Sequence, residues 1–272
     1  MSFIKNLIKR FREKWHNDIQ YQEQLQICQF KLEQIQKQQK EFAEELKLLK
    51  RSFIDPNGPS MIALRMKNLG ILSKYEHCFY EMPDNSVCLD CGANQGFFTD
   101  LILSLNGYCY AFEPNKVLLK LLSQKYREKE NVELFPYAIS DSEGFVDFKL
   151  SSNLNTSFLD FTESGSISLD HYPYPEIEIP EVHYQVPKVR LVDFLQNEVF
   201  KKHGEVYILK MDIEGAEFET LEDIIHSGVY KNIKYLFCET HARFFNDGNE
   251  RLHKLETLIK ENNITNIFLD WV

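Results

Sequence analysis

Residues 86–100 read SVCLDCGANQGFFTD. An apolar run of strand length ends at Asp90, two glycines four positions apart follow, and an apolar helical pattern begins at once. A strand that turns through glycines straight into a helix belongs to open α/β sheets, where ligands sit outside the carboxyl ends of the strands. Gly92 and Gly96 let backbone approach a ligand with no Cβ in the way. The turn Gly92-Ala93-Asn94-Gln95-Gly96 lacks the middle glycine that makes room for a pyrophosphate, so a ligand without phosphates is the natural occupant, and a nicotinamide-dependent dehydrogenase is disfavoured.

The rest of the chain supplies the other layers. Strands are expected at 87–91, 108–113, 132–138, 207–211, 235–240 and 266–271, with helices at 117–126, 217–225 and 250–261 between them. Such alternation predicts a mainly parallel sheet covered by helices on both faces. The second strand ends in AFEP, placing Glu113 23 residues after Asp90, where a carboxylate accepts hydrogen bonds from a ribose diol. The third is followed by AISD, where Asp141 is placed to accept from an adenine amino group. Ribose, adenine and no phosphate describe an adenosine joined to something else.

DCGANQG, AFEPNK, AISD, LKMDIEGAEFETL and FCETH, in that order, resemble the FkbM-type S-adenosylmethionine-dependent methyltransferases from about Val87 to His241. LKMDIEGAE is the most specific segment. The resemblance implies a class I methyltransferase (Rossmann-like) fold, S-adenosylmethionine as cofactor, and O-methylation, commonly of a sugar hydroxyl in polysaccharide or natural-product assembly. Cofactor contacts are accordingly expected from Asp90, Gly92, Ala93, Asn94, Gly96 and Phe97 at the first turn, Glu113 and Pro114 at the second, and Ala138, Ser140 and Asp141 at the third. Two departures bear on the acceptor side. Arg190-Leu191-Val192-Asp193 stands where the family has a Thr-Leu-Asp-Asp-like stretch, and NIFLDWV suggests a shortened final hairpin.

Methylating a hydroxyl requires a base. The candidates lie at the ends of the fourth and fifth strands: Lys210 and Asp212 on one face, and Glu239 with His241 on another. Asp212 is one candidate base, with Lys210 orienting it, although pairing Lys210 with Asp212 also satisfies two buried charges. His241 is the rival base, with a near-neutral pKa. Glu214 is placed to touch the acceptor or the sulfonium region, whereas Glu217 reads as helix-start charge. Asp212, Glu239 and His241 could instead hold magnesium or manganese, but no metal is assigned. The polar stretch 151–170 and the Tyr- and Pro-rich 171–184 read as lid and acceptor-binding loops.

The N-terminal third lies outside the resemblance, dividing the chain into a helical segment (1–53) and a methyltransferase domain (54–272). From Leu25 an apolar seam runs through Cys28, Leu32, Ile35, Phe42, Leu46, Leu49 and Phe53, with Gln39 its polar member. This is heptad spacing, and it predicts a long coiled-coil helix over 20–53 that joins copies of the chain; a helix folded back on its own domain is the alternative. Residues 1–16 carry five cations against one acid, with Phe3, Ile4, Leu7, Phe11 and Trp15 near one face. They read as a membrane-surface helix or as a continuation of the seam. The remaining 256 residues hold a net charge of −14 within a total of −10, which excludes nucleic acid as the main partner. With six scattered cysteines, a lone C-x-x-C and no secretory signal, the chain is expected in the cytoplasm, with residues 1–16 offering contact with the inner membrane surface. A non-catalytic scaffold that binds the cofactor or its product is the second function considered.

Overall fold

A computed structural model describes residues 58–151, 165–166 and 181–271 of the 272-residue protein. The segments read as basic helix and coiled coil, and most of the stretch read as a lid, lie outside the described residues.

In chain order, β1 (Val87–Cys91), β2 (Tyr108–Phe112) and β3 (Val132–Phe135) open the main sheet. A second sheet takes β4 (Ala138–Ser140), β5 (Gly144–Ser151), β6 (Gly165–Ser166) and β7 (Glu181–Arg190). The chain then returns to the first with β8 (Val206–Met211), β9 (Ile233–Cys238) and β10 (Ile267–Phe268). The main sheet has the order β10-β9-β8-β1-β2-β3, and every pairing in it is parallel. Strand order therefore runs outward in both directions from the β1–β8 pair. At that switch point the helices leave on opposite faces and a crevice opens beyond the carboxyl ends.

The helices are α1 (Pro59–Asn68), α2 (Glu76–Tyr80), α3 (Phe97–Ser104), α4 (Lys116–Lys125), α5 (Leu191–Phe194), α6 (Phe200–His203), α7 (Glu217–Ser227) and α8 (Gly248–Glu261). A π-helical turn, Leu195–Val199, joins α5 to α6. All five residues of β1 and all six of β8 are buried, as in strands covered on both faces. Leu89, Cys91, Leu209 and Met211 pack with Leu221 and Ile224 of α7 and Leu255 of α8. Cys88, Cys109 and Ala111 pack on the other side with Met66 of α1, Phe79 of α2, and Leu101 and Ile102 of α3. Burying one such Leu or Ile contributes about 1.5–3 kcal/mol. Cys88 and Cys91 thus point to opposite faces of one strand, and a C-x-x-C in that geometry cannot close on a common ligand.

Three expectations need correction. The strand read as 132–138 is cut at Pro136, so that 132–135 lies in the main sheet and 138–140 in the second. The end of the supposed loop, 181–184, is the start of β7, which pairs antiparallel with β5 from Ser151↔Glu181 to Gly144↔Lys188. Val146 and Phe148 of β5 meet Tyr184 and Val186 of β7 over Ala138, so an alternating pattern was present. Pro187 and the prolines upstream masked it as loop punctuation. The strand expected at 266–271 is reduced to β10 and an antiparallel bridge between Glu239 and Asp270. No helix among the described residues is long and apolar enough to cross a membrane.

Candidate active site

The carboxyl ends of β1 and β8 lie side by side, with Asp90 opposite Lys210 and Cys91 opposite Met211. Beyond them opens a cleft of ≈ 440 Å³, lined by Gly92, Ala93, Asn94, Gln95, Phe97 and Phe98 on one wall and by Lys210, Asp212 and Glu239 on the other. Asn68, Leu69, Gly70 and Trp271 complete it. That volume falls in the range of small-molecule sites.

The glycine turn is held by the protein itself. Gly92 has φ +83°, and a Cβ there would stand 1.8 Å from the Asp212 carbonyl oxygen. Gly96 has φ +79°, and its Cβ would meet the Tyr126 hydroxyl at 2.3 Å. Both glycines therefore answer to backbone conformation and to packing against Asp212 and Tyr126, and Gly92 also lines the cleft. Lys125 Nζ donates to the Gln95 carbonyl at 2.9 Å, and the Tyr126 hydroxyl donates to the Gly96 carbonyl at 2.9 Å, tying the turn to the end of α4.

Glu113 holds the next turn. Its Oε2 accepts the Asn94 N–H and its Oε1 the Asn115 N–H, both at 2.7 Å. Burial pushes its carboxyl up to about 7, against the lowering effect of these two bonds. A carboxylate has about four acceptor directions, so two remain for a ligand. Asn115 caps α4 through Oδ1, which accepts from the Val117 and Leu118 N–H groups at 3.0 and 3.4 Å. Its Nδ2 and the Oδ1 of Asn94 are buried without a partner. A spare donor and a spare acceptor on either side of Glu113 fit a nucleoside, whose hydroxyls give and take hydrogen bonds, whose ring nitrogens take them and whose amino group gives them. Pro114 follows Glu113 half-buried, Ala138 and Ser140 are buried in β4, and Asp141 is exposed and accepts from Ser140 and Ser142. None of these four lines the cleft, and neither do Glu113 and Asn115, which stand behind Asn94.

Lys210 is the pin beneath the cleft. It donates to the Gly92 carbonyl at 2.7 Å and lies 3.4 Å from Asp90 Oδ1 and 3.3 Å from Asp212 Oδ2. Burial would lower its pKa, but the two carboxylates outweigh it and the net shift is upward, so the ammonium stays charged. Asp90 is wholly buried, accepts from the Thr99 hydroxyl at 2.7 Å, and has its pKa raised by burial against the pull of Lys210. Asp90 thus supports the turn from below and does not line the cleft.

Beside Asp212 the backbone turns sharply. Glu214 adopts φ 56° and Gly215 φ 115°, and α7 starts at Glu217. Glu217 is wholly buried and not merely helix-start charge. It accepts the Ile213 N–H at 3.1 Å, the Gly215 N–H at 2.9 Å and the His241 Nδ1 hydrogen at 2.9 Å. His241, at the exit of β9 and 2% exposed, turns Nε2 toward Glu214 Oε2 at 3.3 Å, Glu239 Oε1 at 3.6 Å and Asp212 Oδ1 at 3.9 Å. The alternative metal set of Asp212, Glu239 and His241 is not the one that converges: Asp212, Glu214 and His241 offer ligand atoms all within 4.8 Å of one another.

Burial lowers the His241 pKa, but Glu217, Glu214 and Asp212 override it and bring it up to about 9. Burial and the neighbouring Asp212, Glu217 and Glu239 push Glu214 up to about 8, against the lowering effect of His241. Both groups bind protons more tightly folded than unfolded. His241 therefore contributes stability in full below about 6.5, lost as pH rises through about 9, and Glu214 acts in the same sense from about 4.5 to about 8. Chelator-treated protein should lose on the order of 1–3 kcal/mol of unfolding free energy between pH 6.5 and 9.5. Urea titrations at each pH should show His241→Gln flattening this slope; an unchanged slope would mean that His241 is not protonated in the native state.

The structure thus gathers Gly92, Ala93, Asn94, Phe97, Lys210, Asp212 and Glu239 around one cleft, and stacks Glu214, Glu217 and His241 beside Asp212. Sequence reasoning missed Glu217 as a buried acceptor, Asn115 as the second orphan, and the wall from Asn68–Gly70 and Trp271. For Asn115 a signal existed, because Asn three residues before an apolar helix pattern marks an N-cap.

Sheet order and a switch-point cleft at the glycine turn define an α/β domain of the methyltransferase-like kind. Residues 90–263 match the Methyltransferase FkbM domain, and the chain belongs to the FkbM methyltransferase family. Comparison with curated proteins finds no match. Among solved structures, the crystal structure of methyltransferase FkbM from Methylobacillus flagellatus KT is 13% identical with a TM-score of 0.39, covering 70% of this chain and 39% of that one.

Proposed function

We propose that the chain is an S-adenosylmethionine-dependent O-methyltransferase whose acceptor is a sugar hydroxyl in polysaccharide or glycoconjugate assembly. One observation carries the reading: a single cleft joins the glycine turn to the Asp212 carboxylate. Bound there, S-adenosylmethionine supplies an electrophilic methyl group with its own leaving group. Asn94 lines the cleft, and Glu113, which accepts the Asn94 N–H, and Asn115 stand behind it as the partners for the nucleoside, through the spare hydrogen-bonding directions described above. Asp212 accepts the hydroxyl proton, and Lys210 fixes both Asp212 and the Gly92 carbonyl. Access and protonation favour Asp212 over His241 as the base. Asp212 lines the cleft with its side chain 28% exposed, whereas His241 is enclosed and already holds a proton at neutral pH.

The heptad seam over 20–53 supports self-association, and the basic face of 1–16 supports contact with the anionic inner surface of a cytoplasmic membrane. Calorimetry with S-adenosylhomocysteine should give one saturable site per chain, and mass spectrometry should find a methyl group added to one of a panel of sugar nucleotides. No heat of binding from the pure chain would sink the proposal.

A further inference from the structure

We infer that Asp212, Glu214 and His241 form a binding site for one divalent cation of the magnesium–manganese class, with Glu217 as the residue that orients the imidazole. Two loops deliver the set: Asp212 and Glu214 lie in the turn between β8 and α7, Glu214 in the left-handed region, and His241 follows β9. Their ligand atoms already lie within 4.8 Å of one another. Bonds of about 2.0–2.1 Å to an octahedral cation span roughly 3 Å between adjacent ligands and about 4 Å across the ion, so a small contraction closes the set.

The imidazole is prepared for this task. Glu217 Oε1 lies 2.9 Å from Nδ1, and its Oε2 is held by the Gly215 N–H. With the hydrogen kept on Nδ1 by Glu217, a cation that displaces the Nε2 proton meets the Nε2 lone pair in the space shared by Asp212 and Glu214. A buried carboxylate behind a histidine is the usual arrangement behind metal-bound imidazoles, where it fixes tautomer and ring orientation. Two carboxylates and one imidazole, with no thiolate, suit a hard cation that keeps several waters. Asp212 lines the cleft, so a cation here faces whatever hydroxyl enters it and lowers that hydroxyl's pKa. That last role rests on the methyltransferase proposal; the binding site does not.

The test uses chelator-treated full-length protein titrated with Mn²⁺, free ion being followed by its electron paramagnetic resonance signal, beside S-adenosylhomocysteine calorimetry on the same samples. One ion per chain is expected, with a dissociation constant below about 1 mM, displaced by excess Mg²⁺. Asp212→Asn, Glu214→Gln and His241→Gln should each weaken binding at least about tenfold, and Glu217→Gln by a similar factor. Glu222→Gln, whose carboxylate pairs with Lys254 elsewhere on α7, should change nothing. Retained uptake of S-adenosylhomocysteine certifies that each variant is folded. Nucleoside binding without saturable Mn²⁺ binding overturns this inference and spares the methyltransferase reading. Saturable Mn²⁺ without nucleoside binding does the reverse. Several weak ions insensitive to these substitutions would also overturn it.

Discussion

Asp212→Asn is expected to lower kcat for methyl transfer by about 10²–10⁴-fold, the usual contribution of a positioned base. The substitution keeps the shape of the side chain and removes the one cleft-lining carboxylate that lies beside Lys210. Folding should survive it, because Lys210 retains Asp90 at 3.4 Å and the Gly92 carbonyl at 2.7 Å. Affinity for S-adenosylhomocysteine should stay within about threefold, since a group acting mainly in the transition state affects kcat more than binding. His241→Gln is the informative partner. Were His241 the base, it would lose the larger part of the rate and Asp212→Asn would keep nearly all of it, and single-turnover kinetics would show that ordering. Full turnover by Asp212→Asn removes this residue from the chemistry.

Glu217→Ala should cost the fold about 3–5 kcal/mol, read as a shift of the urea midpoint. Glu217 is fully enclosed and satisfies two backbone N–H groups in the 213–215 turn as well as the His241 ring. Deleting it strands three buried donors around a cavity, and unpaired buried donors cost about 1–3 kcal/mol each. Glu217→Gln should lose less, because one carbonyl oxygen remains, yet its amide nitrogen faces donors and cannot accept from them. A near-zero change for the alanine variant would show that the turn carrying Glu214 is held by something else.

Much of the domain was legible in residues 87–91, 206–211 and 217–227. Strands buried on both faces read as unbroken apolar runs, and amphipathic helices announce themselves by spacing. The glycine turn and the acids Asp90, Glu113 and Asp212 could be assigned to strand ends, because an apolar run that stops marks its own end. The second sheet was not legible, since Pro187 sits inside β7 and prolines upstream disguise its alternation. Ala138, Ser140 and Asp141, assigned to the third turn, follow Pro136 into that sheet and do not line the cleft.

Glu217 shows where sequence reading stops. An acid in the first turn of a helix is favourable for the helix dipole alone, so nothing local separates that role from a buried partner of a histidine 24 positions later. The pairing of Asp90 with Lys210 is of the same kind, created by the β1–β8 register between residues 120 apart. By itself the sequence determined the alternating elements, the glycine turn and the acids at the strand ends, because backbone propensity and hydrophobic period act over a few residues. Only the tertiary structure decided which acids share a cleft, which lie buried beneath it and which one orients His241. Strand order, register and burial set those distances, and they bring together side chains that no local pattern connects.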